Sequence, residues 1–503
     1  MAPKRSEDAM KNRTSLEKRD GTDEADGAIA RLRKQFLQDF DPTYVENVLV
    51  PFFTFRTYMG ERLSLPMIDV AFTKDNAMAP QLWGMLSDSW RPSAEDGVTV
   101  FLQGLEKRGP GNLRKKIYMS AVTPDLYEPM YSEKVRRFFD VLLADENAGK
   151  PLMRQYLDGY FDLYWDLHVG VTGDAIPAEV RQIGHSFNAV LAYRDPTLKA
   201  YYDNYMTVRA HREFLRGWIG GRVADVIDGR TLQPEKTFVH YWMRNGEGGD
   251  HFRREDVVFE CFHNFVAFSQ WGKMLSRIMS KLSRESDHDV RAWFQRTMRS
   301  NFDERGDKSA YMPLDRFVME LFRTISPNPG SNSVIEESRA APDDRYSLVI
   351  SPHATTSFDL RHWEDPATFD PDRYLGVPTS DEIDDARCKQ IGFARKPFDA
   401  APFNVNDGRN AALHSSGFGT VYGVVDGKPL PVCDYAGYAP FGFGYRRCPG
   451  EWLSVKVFGD FLRAVWRRQI EFEQLNITDP AQLPIGPGTV IADTIGFRRL
   501  API

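Results

Sequence analysis

The sequence predicts a mainly α-helical protein with small β-sheets. From Arg114 to about Lys308, apolar residues recur at helical spacing, with short breaks at Gly, Pro and Asp residues. Strand-like stretches are short, as in Phe52 to Ile68, where Gly60 and Pro66 interrupt the pattern. The composition, 42% hydrophobic and 27% charged, is ordinary for a globular protein. Helices therefore dominate the expected fold, and the sheets are secondary.

The expected helices follow one another along most of the chain. The segments with the clearest helical periodicity are Ala28 to Phe40, Ser132 to Leu143, Pro177 to Ala192, Arg253 to Lys281, Phe317 to Thr324 and Glu451 to Gln469. A further helical face carries five aromatic residues: Tyr156, Tyr160, Phe161, Tyr164 and Trp165. Core packing is the favoured interpretation of this face, and a substrate or cofactor wall is the alternative.

The N-terminal segment and the overall charge limit the cellular context. Residues 1–26 carry thirteen charged side chains and no apolar run, which predicts a disordered segment without a signal peptide or spanning helix. The net charge of −6 gives no basic field for nucleic acid. Four cysteines in 503 residues do not form a disulfide framework. We therefore expect a soluble, cytoplasmic protein.

The segment Phe441 to Gly450, F-G-F-G-Y-R-R-C-P-G, is the most informative part of the chain. A nearby cation such as Arg446 lowers the pKa of a cysteine, and the following helix places Cys448 near a positive dipole end. Gly444 and Gly450 allow close backbone approach and positive φ. A buried structural cysteine in a Gly-rich turn is the alternative interpretation.

This segment resembles the heme-binding loop of the cytochrome P-450 superfamily, at the five fixed positions Phe441, Gly444, Arg446, Cys448 and Gly450. The resemblance implies one heme domain, residues 27–503, in which Cys448 is the axial thiolate of heme b (iron protoporphyrin IX). It also implies that Arg446 pairs with a heme propionate and Phe441 shields the sulfur. Basic residues near the first heme contact, Arg114 and Lys115, are further propionate candidates, or part of a solvated face.

A second motif of the resemblance is E-x-x-R, at Glu320 and Arg323, followed by F-D-P-D-R with Arg373. Residues three apart on a helix face the same way, and bidentate pairing with a carboxylate needs Arg rather than Lys. In the family these residues form a buried network that positions the cysteine loop. The resemblance therefore implies a structural role for the three residues.

The helix expected to cover the distal heme face departs from the family. Family members carry an acid–Thr pair there that relays protons for O–O cleavage. Aligning Ala267 with the family's small residue places Gln270 and Trp271 at the relay positions. Glutamine does not titrate, and the indole only donates. Gln270, Trp271 and Asn264 are therefore the candidate distal catalytic residues, and His263 is an acid–base candidate or a core histidine.

Residues 375–440 hold many Gly, Asp, Pro and Ala residues and little periodicity, and the equivalent family segment is much shorter. Long loops without regular structure tend to be functional or mobile. We expect an insertion on the proximal side of the heme, covering the surface where a redox partner would otherwise dock.

Three functions remain open at this point. The first is a monooxygenase-like heme-thiolate oxidoreductase, acting on a small, mostly apolar molecule with electrons from a separate donor protein. The second is an enzyme that rearranges or dehydrates a hydroperoxide co-substrate, as allene oxide synthases and hydroperoxide isomerases do. The third is a non-enzymatic heme-binding protein with a distal pocket closed by Phe268 and Trp271.

Overall fold

The computed structural model describes residues 117–375 except 119, 123–125, 194–198, 247, 249–251, 287, 305–310, 328–330, 337–345, 352–356, 359 and 361–362, together with 422–425, 428–431, 440–441, 448 and 450–500. The described part contains nine α-helices. They are α1 (Ser132–Leu142), α2 (Leu152–Val169), α3 (Ala178–Tyr193), α4 (Lys199–Ile227), α5 (Phe238–Asn245), α6 (Arg254–Leu282), α7 (His288–Arg299), α8 (Pro313–Thr324) and α9 (Glu451–Arg467).

Local sequence sets where several of these helices begin and end. The Asp256 carboxylate accepts a hydrogen bond from the backbone N–H of Arg253 at 2.9 Å, which satisfies a donor at the start of α6. Thr237 accepts from the His240 N–H at 3.3 Å and caps α5. Helix α2 ends at Gly170, whose φ of 72° lies in the left-handed region that glycine adopts without strain.

Helix α6 lies at the centre of the described part. Helices α2, α3, α4, α5 and α7 all contact it, and α1 connects this group to α9 by packing against both α2 and α9. Among its described side chains between residues 261 and 279, only Ala267, Gln270 and Arg277 are partly exposed. These three residues share one helix face, so the described side chains between residues 261 and 279 are buried except along one stripe.

The described strands form four antiparallel pairs. They are β1 (Ser331–Glu336) with β2 (Tyr346–Ser351), β3 (Tyr422–Val425) with β4 (Lys428–Pro431), β5 (Ile470–Gln474) with β8 (Ile495–Arg499), and β6 (Gln482–Gly486) with β7 (Thr489–Ala492). In the β5–β8 pair, the buried Phe472 lies opposite the buried Phe497. Small sheets thus accompany a mainly helical chain, as the sequence predicts.

Two glycines let the β6–β7 hairpin approach α6 closely. A Cβ atom on Gly272 would lie 2.7 Å from the carbonyl oxygen of Ile485. A Cβ atom on Gly486 would lie 2.7 Å from the carbonyl oxygen of Ser269. Both distances are shorter than real contacts of such atoms, so any larger residue would push the hairpin away from α6.

The predicted helices agree with the observed ones to within a few residues, except Ala28 to Phe40, which lies outside the described residues. The strand-like Phe52 to Ile68 and the N-terminal segment 1–26 also lie outside them. All five aromatic residues of the α2 face are buried in the core, which confirms the core-packing interpretation. No helix of the described part is both long and apolar enough to cross a membrane.

Part of the segment 375–440 forms regular structure, although its sequence shows little periodicity. Strands β3 and β4 pair there as a hairpin. The two residues between the strands are Asp426-Gly427, a dipeptide typical of two-residue hairpin turns. It follows the β-branched residues Val424 and Val425, which favour a strand. Residues 376–421 lie outside the described residues.

Candidate functional site

Glu320, Arg323 and Arg373 meet in one buried network. Both Glu320 and Arg323 are fully buried on α8, and the guanidinium makes two bonds to the carboxylate, 2.8 Å from Nε to Oε2 and 2.7 Å from Nη2 to Oε1. Arg373 Nε donates to the same Oε1 atom at 3.1 Å. The hydroxyl of Tyr374 donates to Oε2 at 3.1 Å. One carboxylate thus joins α8 to the turn Pro371–Tyr374.

The remaining donors of Arg323 hold the chain around this turn. Its Nη1 donates to the carbonyl oxygens of Ser357 at 2.6 Å and Pro366 at 2.9 Å. Its Nη2 also lies 3.3 Å from the carbonyl oxygen of Thr368. A planar guanidinium with five N–H donors can satisfy so many acceptors at once, whereas an ammonium cannot. Removing Arg323 would therefore leave several buried acceptors without a donor.

Helix α8 also contacts the cysteine segment. The ring of Phe322 lies 4.7 Å from the ring of Phe441 and 5.8 Å from that of Phe458 on α9. The backbone N–H of Cys448 donates to the carbonyl oxygen of Phe441 at 2.8 Å, which closes the loop between them. The network on α8 and the loop are thus coupled through aromatic packing.

Cys448 lies two residues before Gly450, the N-cap of α9, and its side chain is partly buried. A helix N-terminus favours a negative charge nearby, which suits a thiolate. A Cβ atom on Gly450 would lie 3.9 Å from the Cys448 sulfur, an ordinary contact. Gly450 has a φ of −92°, so positive φ is not used there. Gly444 and Arg446 lie outside the described residues.

The exposed stripe of α6 contains two residues of the predicted distal site. Ala267 and Gln270 are three residues apart, and both are partly exposed while their described neighbours are buried. The Oε1 atom of Gln270 is itself buried and has no hydrogen-bond partner among the described residues. A buried amide oxygen of this kind needs a hydrogen-bond donor from outside the described residues. The stripe is thus suited to face a bound group.

Trp271 joins α6 to α9, the helix that follows Cys448. Its indole Nε1 donates to the Ser454 hydroxyl of α9 at 2.9 Å, and both side chains are buried. The Phe268 ring packs on it with centroids 4.4 Å apart. The single donor of the indole is therefore already used, so Trp271 has no proton to offer in the site.

Asn264 is fully buried and bonds at both ends of its amide. The Tyr118 hydroxyl donates to Oδ1 at 2.7 Å, and Nδ2 lies 3.0 Å from Nε2 of His168 on α2. The other ring nitrogen of His168 lies 2.7 Å from the carbonyl oxygen of Tyr164. The four residues form one chain of hydrogen bonds that crosses from residue 118 through α6 to α2.

The environment of this chain disfavours charge. The His168 ring stacks on Tyr164 at 4.1 Å and meets the rings of Phe238 and Phe268 at 5.0 and 5.2 Å. Burial lowers the pKa of His168 from 6.5 to about 3. Burial, followed by the charges of Glu260 and Cys448, raises the pKa of Tyr118 well above its usual range. His168 and Tyr118 therefore both stay neutral at ordinary pH.

We expect His168 to make folding stability depend on pH. Unfolded His168 binds a proton below about pH 6.5, whereas the native ring remains neutral to about pH 3. The unfolded state gains the proton first as the pH falls, so this contribution to stability is present above pH 6.5 and is lost toward pH 3. Between pH 7 and pH 4 the free energy of unfolding should fall by about 3 kcal/mol more than in His168→Gln. Denaturant unfolding of both proteins measures this difference, and equal pH dependence would contradict it.

Several residues of the site carry no signal in the sequence. No motif marks the tertiary contacts that bring in Tyr118, His168 and Ser454. Tyr374 directly follows Arg373 in the sequence, so its position next to the F-D-P-D-R motif is a signal for it. Arg114 and Lys115 lie outside the described residues, as does the side chain of His263.

Similarity to known proteins is found in the structure and not in the sequence. No family model and no curated protein matches the sequence. Retinoic acid-bound cyanobacterial CYP120A1 is similar in structure, with a TM-score of 0.52 and 14% sequence identity over 83% of this chain and 83% of that chain. The heme domain of cytochrome P450DA is also similar, with a TM-score of 0.53 and 12% sequence identity over 87% of this chain and 86% of that chain. The chain has the cytochrome P-450 fold, which confirms the fold class predicted from its sequence.

Proposed function

We propose that this protein is a heme-thiolate oxidoreductase of the cytochrome P-450 type that acts on a small, mostly apolar molecule. The observation that carries the proposal is the position of Cys448, in a short loop that ends at the N-cap of α9 and packs on α8 through Phe441. Such a position stabilises a thiolate, and a thiolate is one of the ligands that hold heme iron.

The described residues fit a heme. The sulfur of Cys448 would hold the heme iron, and Gly450 adds no side chain beside it. The orphaned amide oxygen of Gln270 marks a polar point on the exposed stripe of α6. The proposal also includes Gly444, where the backbone would approach the heme closely. The basic residues that would pair with the heme propionates are Arg446, Arg114 and Lys115. The bound heme would supply the redox chemistry, either oxidation of a C–H bond or cleavage of an O–O bond.

The distal residues determine which of these reactions is favoured. Gln270 cannot titrate, and Trp271 commits its N–H to Ser454. Asn264 is bonded at both ends of its amide to Tyr118 and His168, and the neutral His168 ring does not supply a proton. None of these four described side chains is therefore suited to deliver a proton. An orphaned amide is instead suited to hold a ligand hydroxyl or hydroperoxyl group.

We include in the proposal a second candidate reaction, the rearrangement or dehydration of an organic hydroperoxide. The observation that favours it is the orphaned amide oxygen of Gln270, the residue that the sequence alignment places at the position of the family's acid. The proposed substrate is accordingly an apolar molecule, which reacts with the help of either a separate electron-donor protein or a hydroperoxide. The proposed location is the cytoplasm. A non-enzymatic heme-binding role is third, because Phe268 and Trp271 are buried and packed together.

We expect turnover driven by cumene hydroperoxide to exceed turnover driven by NADPH with a ferredoxin–reductase pair. General acid catalysis is typically worth 10²–10⁴-fold, or about 3–5 kcal/mol of barrier, and an enzyme without it should couple electrons to product poorly. Product formed per electron or per hydroperoxide consumed, over a panel of apolar indicator substrates, measures the difference.

Two variants of Gln270 sharpen this experiment. Gln270→Ala should impair hydroperoxide-driven turnover, because it removes the amide that holds the oxygen. Gln270→Glu is the matched control of nearly equal size and should improve the coupling of reductase-driven turnover, because it introduces a titratable acid. Tightly coupled reductase-driven turnover in the wild type, unchanged in Gln270→Ala, would refute the assignment of Gln270 to the site.

A further inference from the structure

A small cavity lies where α2, α3, α6 and β6 meet. Its walls include Tyr156 and Tyr160 of α2, Asn188 of α3, Ser269 of α6 and Ile485 of β6. All five residues are buried except Asn188, which is partly buried. The cavity measures about 10 Å³, roughly the room that one water molecule needs. None of its wall residues belongs to the exposed stripe of α6, so it is separate from the proposed heme site.

Three polar atoms of these walls have no hydrogen-bond partner among the described residues. They are the hydroxyl oxygens of Tyr156 and Tyr160 and the Oδ1 atom of Asn188. The orientation of the Asn188 amide is fixed, because its Nδ2 atom donates to the carbonyl oxygen of Pro484 at 2.6 Å and that oxygen can only accept. The Oδ1 atom is therefore an acceptor that needs a donor.

These polar side chains meet at one stretch of β6. The ring atom Cε1 of Tyr156 and the carbonyl oxygen of Ile485 lie 3.0 and 2.7 Å from the point where a Cβ atom on Gly272 would sit. Asn188 bonds to the residue just before Ile485. The Tyr160 ring lies beside the Tyr156 ring, with centroids 5.5 Å apart and planes at 34°. The two phenols and the amide thus line one small space from two helices.

The cavity suits a neutral ligand. No charged side chain lies among the described residues of its walls, and the rest of the surface is apolar, with Phe161 and Phe265 among the side chains that form it. Burial raises the pKa of both tyrosine hydroxyls above their usual range, so both remain neutral at ordinary pH. An ion of either sign would lose its hydration here without meeting an opposite charge.

We infer that this cavity binds one water molecule, which bridges α2 and α3 beside the β6–β7 hairpin. The water donates to Oδ1 of Asn188 and accepts from the hydroxyls of Tyr156 and Tyr160. Three hydrogen bonds are the usual number for a buried water. The hairpin already bonds to α3 through Asn188 and through the backbone N–H of Gly488, which donates to the carbonyl oxygen of Leu191 at 2.9 Å. The water therefore belongs to the joint that holds the hairpin against the helices.

The sign of the stability change in Tyr156→Phe and Tyr160→Phe tests the inference. With the water bound, each substitution removes a hydrogen bond, so the unfolding equilibrium constant should rise by about 2- to 12-fold. In a dry cavity, each substitution removes a buried hydroxyl that has no partner, so the protein should become more stable. Urea unfolding of the full-length protein measures the sign. Higher or unchanged stability in either variant would overturn the inference.

Tyr164→Phe is the matched control on the same helix. Its hydroxyl already donates to the carbonyl oxygen of Cys261 at 2.6 Å, so this variant should lose stability whether or not the cavity holds water. It shows the size of the effect that a lost hydrogen bond has in this part of the protein. Neither Cys448 nor its ligand takes part in these measurements, so the result bears on the cavity alone.

A crystal structure that resolves ordered solvent provides the direct test. The wild type should show one solvent peak in the cavity, within about 3.2 Å of all three polar atoms. The same peak should be absent or weaker when Tyr156 and Tyr160 are both replaced by phenylalanine. A wild-type cavity without a peak, or a peak that reaches only one or two of the three atoms, would overturn the inference.

Discussion

Arg323→Ala is expected to give protein that is largely insoluble or heme-free. The substitution leaves the Glu320 carboxylate buried with Arg373 as its remaining cation, and removes the donors to Ser357 and Pro366. Breaking a buried ion pair by removing one partner costs about 3–5 kcal/mol. This cost is a large part of the free energy of unfolding of a typical domain, which is about 5–15 kcal/mol. The defect should therefore appear in folding and not in specificity.

Soluble yield, heme content and thermal unfolding measure the effect of Arg323→Ala. Arg467→Ala is a suitable control, because Arg467 is more than half exposed and pairs with Asp140 at the surface. Exposed pairs contribute about 0–1 kcal/mol, so that variant should behave as the wild type. Arg323→Lys should be intermediate, since it keeps the charge and loses the planar donors. Heme-replete Arg323→Ala protein of normal stability would contradict the structural role of the network.

Cys448→Ser is expected to abolish turnover while the polypeptide still folds. Serine has nearly the same size, and the backbone bond from residue 448 to the Phe441 carbonyl oxygen does not involve the side chain. The hydroxyl does not deprotonate as a thiol does, so it cannot replace the thiolate. Heme content should fall, and both reductase-driven and hydroperoxide-driven turnover should be lost. Thermal unfolding of the heme-free proteins should differ little.

Cys261→Ser is the matched control for this variant. Cys261 is fully buried on α6, and burial raises the pKa of its thiol well above the usual range. A neutral buried thiol is neither a nucleophile nor a metal ligand. Cys261→Ser should therefore retain heme and turnover. Turnover that survives Cys448→Ser but not Cys261→Ser would mean that the wrong cysteine has been assigned.

The parts of the fold that depend on local sequence could be predicted. Helix α6 was expected from Arg253 to Lys281 and runs over Arg254–Leu282, because helical periodicity and an acidic first turn mark it. Glu320 and Arg323 meet because three residues separate them on one helix. Their contact with Arg373 depends on the tertiary fold, and there only the resemblance to a family supplied the expectation.

The contacts that shape the candidate site could not be read from local sequence. Tyr118 and Asn264 are 146 positions apart, and Trp271 and Ser454 are 183 apart. Hydrophobic periodicity predicts local helices and strands, and it does not indicate which side chains come into contact over such separations. The β3–β4 hairpin was missed for a different reason, since its Asp426-Gly427 signal was present but was outweighed by the Gly- and Pro-rich composition around it.

The spectrum of the reduced protein under carbon monoxide tests the central claim, that Cys448 is the axial thiolate of a heme, most directly. The wild type and Cys261→Ser should both show the red-shifted Soret band that a thiolate ligand gives to the ferrous carbonyl complex. Cys448→Ser, reconstituted with heme where it does not retain it, should lack that band. A wild-type protein without the band, or a Cys448→Ser variant that keeps it, would contradict the claim.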